Sequence, residues 1–138
     1  MQSNINTGRT RELGIGETEI ERRGLKLNCK APLTAVASID DAVVAGFGDG
    51  SLTFFRPSLA PVSKKIHKGV ILCMTEYKNG FISGGDDGRF LAITTNGDTT
   101  EIADFGTKWV DCVAASDEIV ACSSGSDVHL FEHEKSQR

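Results

Sequence analysis

AGFGDGSLTFF from Ala45, SGGDDGRFLAI from Ser83 and ACSSGSDVHLF from Ala121 are three copies of one hairpin, each beginning 38 residues after the last. Apolar runs flank a glycine-rich turn in every copy, which is the pattern of two short strands and a tight connection. The register extends upstream: LTAVASIDDAVVAG from Leu33, ILCMTEYKNGFISG from Ile71 and WVDCVAASDEIVAC from Trp109 differ by the same 38 residues. Self-similarity at a fixed period signals a repeat architecture in which one unit cannot bury its apolar face alone.

Each unit therefore reads as strand a (33–38, 71–76 and 109–114), strand b (42–47, 80–84 and 119–123) and strand c (52–56, 90–94 and 128–132). A weaker strand d follows at 62–66 and 99–103, and counting back one period places an unmatched d strand at 25–29. The third unit has no room for its own d strand. Strands b and c are nearly continuous apolar runs, which predicts cover on both faces. Strands a carry small residues such as Ala35, Ala37, Cys73 and Cys112, which suit a crowded inner edge. Together these features predict an all-β fold of radially stacked sheets, with blades at about 30–66, 67–103 and 105–132.

Composition narrows the function classes. A net charge of −4 and a pI near 5.3 leave no basic stripe to displace the counterions of nucleic acid. No apolar run reaches a membrane span, and the first thirty residues lack a signal-peptide core, so neither membrane nor nucleic acid is an expected partner and the cytoplasm is the expected location. Residues 1–24 are polar and read as a disordered tail, with a short helix allowed near 18–23 because Thr18 and Glu21 have capping-box spacing. Residues 133–138, including His133, read as a solvated polar end. The four cysteines show no CxxC spacing and are expected as structural thiols, three of them in strands.

The turns resemble those of the WD40 repeat family, whose units carry a GH dipeptide upstream, an SGSxDG turn between strands b and c, and a terminal WD. Ser83, Gly84, Asp87 and Gly88 match the turn in the second unit, and His67 stands at the family's histidine after Ile66. The first unit retains Gly46, Asp49 and Gly50 and has Phe55 and Arg56 at the WD position. In the third, Gly125 replaces the turn aspartate, and Phe131 and Glu132 form a conservative terminal pair. GGDDG and the stretch Lys108–Ala114 look most like compact, divergent bacterial members.

This resemblance implies a partial WD40-type β-propeller of about three four-stranded antiparallel blades, the third lacking its outer strand. It implies a noncatalytic protein-interaction scaffold, and a buried hydrogen-bonded set of His67, Ser83 and Asp87. It also places Lys68, Lys108 and Trp109 on loops at a partner-facing rim. Closed propellers hold four to eight blades, and four need roughly 160 residues, more than Leu25–Arg138 offers. The chain is thus expected to be a fragment or a piece completed by self-association or a complementary propeller fragment.

Sharper chemistry finds less support in the residues. GFGDG at Gly46–Gly50 is followed by a strand, whereas a phosphate-cradling loop opens a helix. Asp86 and Asp87 lack the twelve-residue calcium-loop spacing and read as turn carboxylates. A nucleophilic set drawn from Cys73 or Cys112, His67 or His129, and Asp111 has no supporting spacing, so no catalytic residue, metal or cofactor is expected. The alternatives are a propeller-type enzyme or metal-dependent hydrolase, and a nonfunctional truncated gene product.

Overall fold

The computed structural model describes residues 18–132, with only the backbone of Ile20 and Glu21. The expected tail therefore lies outside the described residues as far as residue 17, as does the polar end with His133. Contacts divide the chain between Lys30 and Ala31. Among its described residues the first part has a short helix, α1 (Glu19–Arg23), closed by the Arg22 amide on the Thr18 carbonyl at 3.1 Å. Leu25–Cys29 does not form the expected strand; Lys26 alone makes an isolated bridge. A strand exists only through a ladder with a neighbour, and a sequence interval supplies no such neighbour.

The second part is all-β, with three antiparallel sheets that do not close on one another. β1 (Leu33–Ile39), β2 (Ala42–Phe47), β3 (Ser51–Phe55) and β4 (Val62–Lys65) make the first sheet in chain order. β5 (Ile71–Tyr77), β6 (Gly80–Gly85), β7 (Arg89–Thr94) and β8 (Thr99–Asp104) make the second. β9 (Val113–Ala115), β10 (Ile119–Ser124) and β11 (Asp127–Glu132) make the third, which has no fourth strand among the described residues. Among the described residues the third sheet is therefore one strand short of the other two.

Local chemistry sets the turns. Two-residue connections join β1 to β2 and β5 to β6, and their first residues, Asp40 and Lys78, adopt φ of 48° and 52°. Between strands b and c, Gly50 and Gly88 take φ of 85° and 79°, which an L side chain rarely adopts. The third hairpin departs from this. β10 begins 39 residues after β6, yet β11 begins 38 after β7, so the connection shortens from Asp86–Gly88 to the pair Gly125 and Ser126. Gly125 (φ 61°) thus opens a tighter turn that has no position for the aspartate.

Packing occurs between sheets. Val44, Leu52 and Phe54 of the first sheet meet Ile71, Phe81, Leu91 and Ile93 of the second in one core. Ile82 and Phe90 of the second meet Val110, Val120 and Cys122 in the other. Each fully buried side chain of this size contributes roughly 1.5–3 kcal/mol. β6 is consequently buried at every position, while β10 alternates buried and half-buried residues and β11 alternates exposed and half-buried ones. Cover on both faces therefore holds through β6 and for the middle of β2 and β3, where Ala45 and Thr53 are buried as well as Val44, Leu52 and Phe54, and fails in the third sheet.

The inner strands converge through missing side chains. Gly46 and Gly84 lie in β2 and β6, not in the turns where the motif placed them. A Cβ at Gly46 would stand 3.0 Å from Ile71 Cγ2, and one at Gly84 would stand 2.5 Å from Val110 Cγ1. Glycine lets the next sheet's first core residue approach the backbone. Side-chain donors near the bulges of β1 and β5 add a further link: Thr34 Oγ1 donates to the Ile71 carbonyl at 2.5 Å, and Cys73 Sγ to the Val110 carbonyl at 3.6 Å.

Candidate interaction surface and the buried network

The loop leading into β5 is fastened by its backbone before any side chain acts. The amides of Ile66 and His67 both donate to the Gly50 carbonyl, at 3.0 and 3.1 Å. A Cβ on Gly50 would fall on the His67 carbonyl oxygen, so the glycine is required by closeness as well as by φ. Beyond it, the Val70 amide donates to Asp86 Oδ1 at 2.8 Å and the Asp86 amide returns to the Val70 carbonyl at 3.1 Å. Asp86 is therefore tied to the loop rather than being a free turn carboxylate.

His67, Ser83 and Asp87 meet in this frame. Asp87 Oδ1 accepts from His67 Nδ1 at 2.9 Å and from the Arg89 amide at 3.1 Å, while Oδ2 accepts from the Lys68 amide at 3.0 Å. On the other side of the ring, Ser83 Oγ lies 2.8 Å from His67 Nε2. With Nδ1 donating to the carboxylate, the neutral ring accepts the Ser83 proton at Nε2. Gly85 makes room, because a Cβ there would stand 2.6 Å from His67 Nδ1. Neither Asp86 nor Gly85 had been singled out for this; the doubled letters in SGGDDG were the available signal.

The electrostatics favour a neutral histidine beside a charged aspartate. Burial lowers the His67 pKa below the ordinary histidine value, with Asp87 partly opposing it. Burial acts to raise the Asp87 carboxyl, but the Lys68 amide, the His67 ring and the Arg89 amide outweigh it and hold the group below the ordinary aspartate value. Serine, histidine and acid are thus arranged as in a nucleophilic relay. Ser83 and His67 are nevertheless buried, so the hydroxyl faces protein and not a cleft.

The other units fill their turns differently. Asp49 accepts from the Ser51 amide and hydroxyl at 3.0 and 2.6 Å, and the hydroxyl hydrogen bond chiefly holds its exposed carboxyl below the usual range. In the third unit Ser124 Oγ is the one buried side-chain polar atom without a hydrogen-bond partner among the described residues.

Lys68, Lys108 and Trp109 are all exposed, Trp109 to 59%. Their backbone is held: the Lys108 amide reaches the Phe105 carbonyl at 3.4 Å, and the Val110 amide reaches Gly85 at 3.0 Å. Among the described residues no hydrogen bond, ion pair or ring contact joins the three to one another. Trp109 and Cys112 lie before β9 rather than in the strand expected over 109–114. Asp111 is exposed and accepts from Ser123 Oγ at 2.5 Å.

Of the residues weighed for nucleophilic chemistry, Cys73 lies within electrostatic reach of Cys112 and Asp111, while both histidines are engaged elsewhere. His67 is engaged as described, and the His129 ring rests on Phe105 with centroids 4.4 Å apart. Burial raises the thiols of Cys73 and Cys122, to about 12 and about 11. Cys29 and Cys112 are exposed, so two of the four expected structural thiols are surface groups. Among the described residues no three His, Cys, Asp or Glu side chains are placed to hold a metal ion, and no helix is long and apolar enough to cross a membrane.

Comparison with known proteins places the fold. No protein family and no curated protein matches the sequence. Among solved structures, the chain is similar to the computationally designed protein Ika8, with a TM-score of 0.64 and 19% identity over 76% of this chain and 34% of that one. It is similar also to the WD40 β-propeller domain of Doa1, with a TM-score of 0.62 and 14% identity over 77% of this chain and 39% of that one. The chain thus spans little more than a third of the length of these structures. The likeness shows a β-propeller fold, and the three open sheets form part of one.

Proposed function

We propose that this chain is a noncatalytic protein-interaction module of the WD40 propeller type, working as one piece of a larger propeller. The observation that carries the reading is Trp109: a large aromatic side chain held out to solvent between Lys108 and Val110, whose amides are both anchored. A rigid, exposed aromatic beside a lysine suits an interface anchor. Lys68 extends the same rim from the preceding loop.

The buried network supports a structural rather than catalytic role for His67, Ser83 and Asp87. Their hydrogen bonds are satisfied internally and fasten the loop that carries Lys68. Gly50 and Gly88 serve the same purpose through backbone fit, and Asp49 through its own turn. Four free cysteines accord with a reducing, cytoplasmic setting.

Affinity capture with the wild-type chain and with Lys108→Ala and Trp109→Ala variants tests this reading. A partner recovered by wild type, lost with Trp109→Ala and bound again by the purified wild-type chain is the expected result. Equal recovery by all three chains overturns the assignment of the rim.

A further inference from the structure

Positions that face the following sheet repeat through the three units: Leu52 and Phe54 in β3, Phe90 and Ala92 in β7, Val128 and Leu130 in β11. In the first two units these side chains pack in the two cores, with Ala92 half-buried. In the third they are bare, Val128 exposed to 72% and Leu130 to 63%. A complementary series faces the preceding sheet. Phe81 and Ile93 of the second sheet are buried against the first, and Val120 and Phe131 of the third pack against the second. Their counterparts in the first sheet are Val43, exposed to 52%, and Phe55, half-buried; Ala45 and Thr53 between them are buried.

The chain thus carries one free face of each kind, and its own interior shows twice what covers such a face. We infer that a second copy of this chain docks its first sheet onto the third sheet of its partner, so that Val43 and Phe55 meet Val128 and Leu130 as Phe81 and Ile93 meet Leu52 and Phe54 within one chain. The contact is heterologous, joining two different faces. Two copies that dock reciprocally make it twice and leave neither face open. Apolar side chains bare on both partners supply the driving force. This inference rests on the propeller reading, with the partner named as another copy.

Light scattering after gel filtration of the wild-type chain, Leu130→Asp, Val43→Asp and an equimolar mixture of the two variants tests it. Both substituted residues point to solvent in the single chain, and circular dichroism checks that each variant keeps its β signature. The wild type is expected at twice the chain mass. Each variant alone is expected as a monomer, because every copy lacks the same face. The mixture is expected to regain a dimer, since the intact first sheet of Leu130→Asp fits the intact third sheet of Val43→Asp. The mixed pair keeps one of the two contacts. A monomeric wild type, dimers of either variant alone, or a mixture that associates no more than either variant alone at concentrations well above that where wild type is fully paired would overturn the inference. Capture of a partner through Trp109 by a chain that remains monomeric would leave the scaffold reading intact and remove only the self-association.

Discussion

His67 and Phe105 occupy the same backbone station one repeat apart: the His67 amide donates to the Gly50 carbonyl at 3.1 Å, and the Phe105 amide to the Gly88 carbonyl at 2.8 Å. Their side chains then diverge, His67 into hydrogen bonds with Ser83 and Asp87, Phe105 onto the ring of His129. The backbone fixes the station, and polar or aromatic packing can fill it.

Because the polar filling is internally paired, breaking it on one side leaves donors stranded. Asp87→Ala removes the acceptor of His67 Nδ1 and of the Lys68 and Arg89 amides, and a stranded buried donor costs roughly 1–3 kcal/mol. Urea denaturation should show a loss of at least about 2 kcal/mol. Asp49→Ala, on an exposed turn that serves Ser51 alone, should leave the midpoint nearly unchanged.

Acid should weaken the fold in two windows. The unfolded chain binds a proton at His67 near pH 6.5, while the folded chain resists it, so stability falls as pH drops below that value toward the lower folded pKa. Asp87 adds a second loss as pH falls below about 3.8 toward its own lowered value. Denaturation midpoints measured from pH 7.5 to 3 should therefore decline, and His67→Gln should flatten the upper window and, by removing the ring that helps hold Asp87 down, make the lower one shallower. An upper window of unchanged depth in that variant would assign it to another group.

Removing the stranded hydroxyl of Ser124 should have the opposite effect. Ser124→Ala deletes a buried polar atom that has no partner, and is expected to stabilise by up to about 1 kcal/mol. A thermal shift upward checks it.

Two glycines with similar φ separate crowding from backbone strain. At Gly88 (φ 79°) a Cβ would collide with the Gly106 carbonyl, whereas at Gly106 (φ 67°) it meets nothing within 4 Å. Gly106→Ala should cost on the order of 1 kcal/mol for the left-handed conformation alone, and Gly88→Ala about 1–3 kcal/mol more for the displaced backbone. Equal losses in denaturant would show that the loop moves aside freely.

Thiol chemistry should sort the cysteines by environment. At pH 8 an alkylating reagent should modify exposed Cys29 and Cys112 in the folded chain and spare Cys73 and Cys122, whose thiols burial pushes to about 12 and 11. Peptide mass analysis before and after denaturation reads the difference.

The strands, their hairpins and the turn glycines were legible because each is decided within a few residues: apolar runs, Asp-Gly turns and the 38-residue spacing. Features decided by distant residues were not. Gly46 and Gly84 look like turn residues until Ile71 and Val110 arrive beside them from the next unit. Leu25–Cys29 looks like a strand because the period places one there, but pairing, not spacing, makes a strand. Trp109–Cys112 follows the period too, yet the Val110 amide is taken by Gly85 and the ladder starts only at Val113. Of the site, the meeting of His67, Ser83 and Asp87 could be read by resemblance. The space that Gly85 provides and the tether of Asp86 required coordinates.

No sheet owns a core; each core belongs to a pair. The smallest part of this chain able to fold cooperatively is accordingly two adjacent sheets, and the second sheet is the member common to both pairs. Its β6 amides should be the last to exchange their hydrogens, and either outer sheet can detach while the other pair persists. A chain built this way should loosen at its outer sheets before the second sheet is lost.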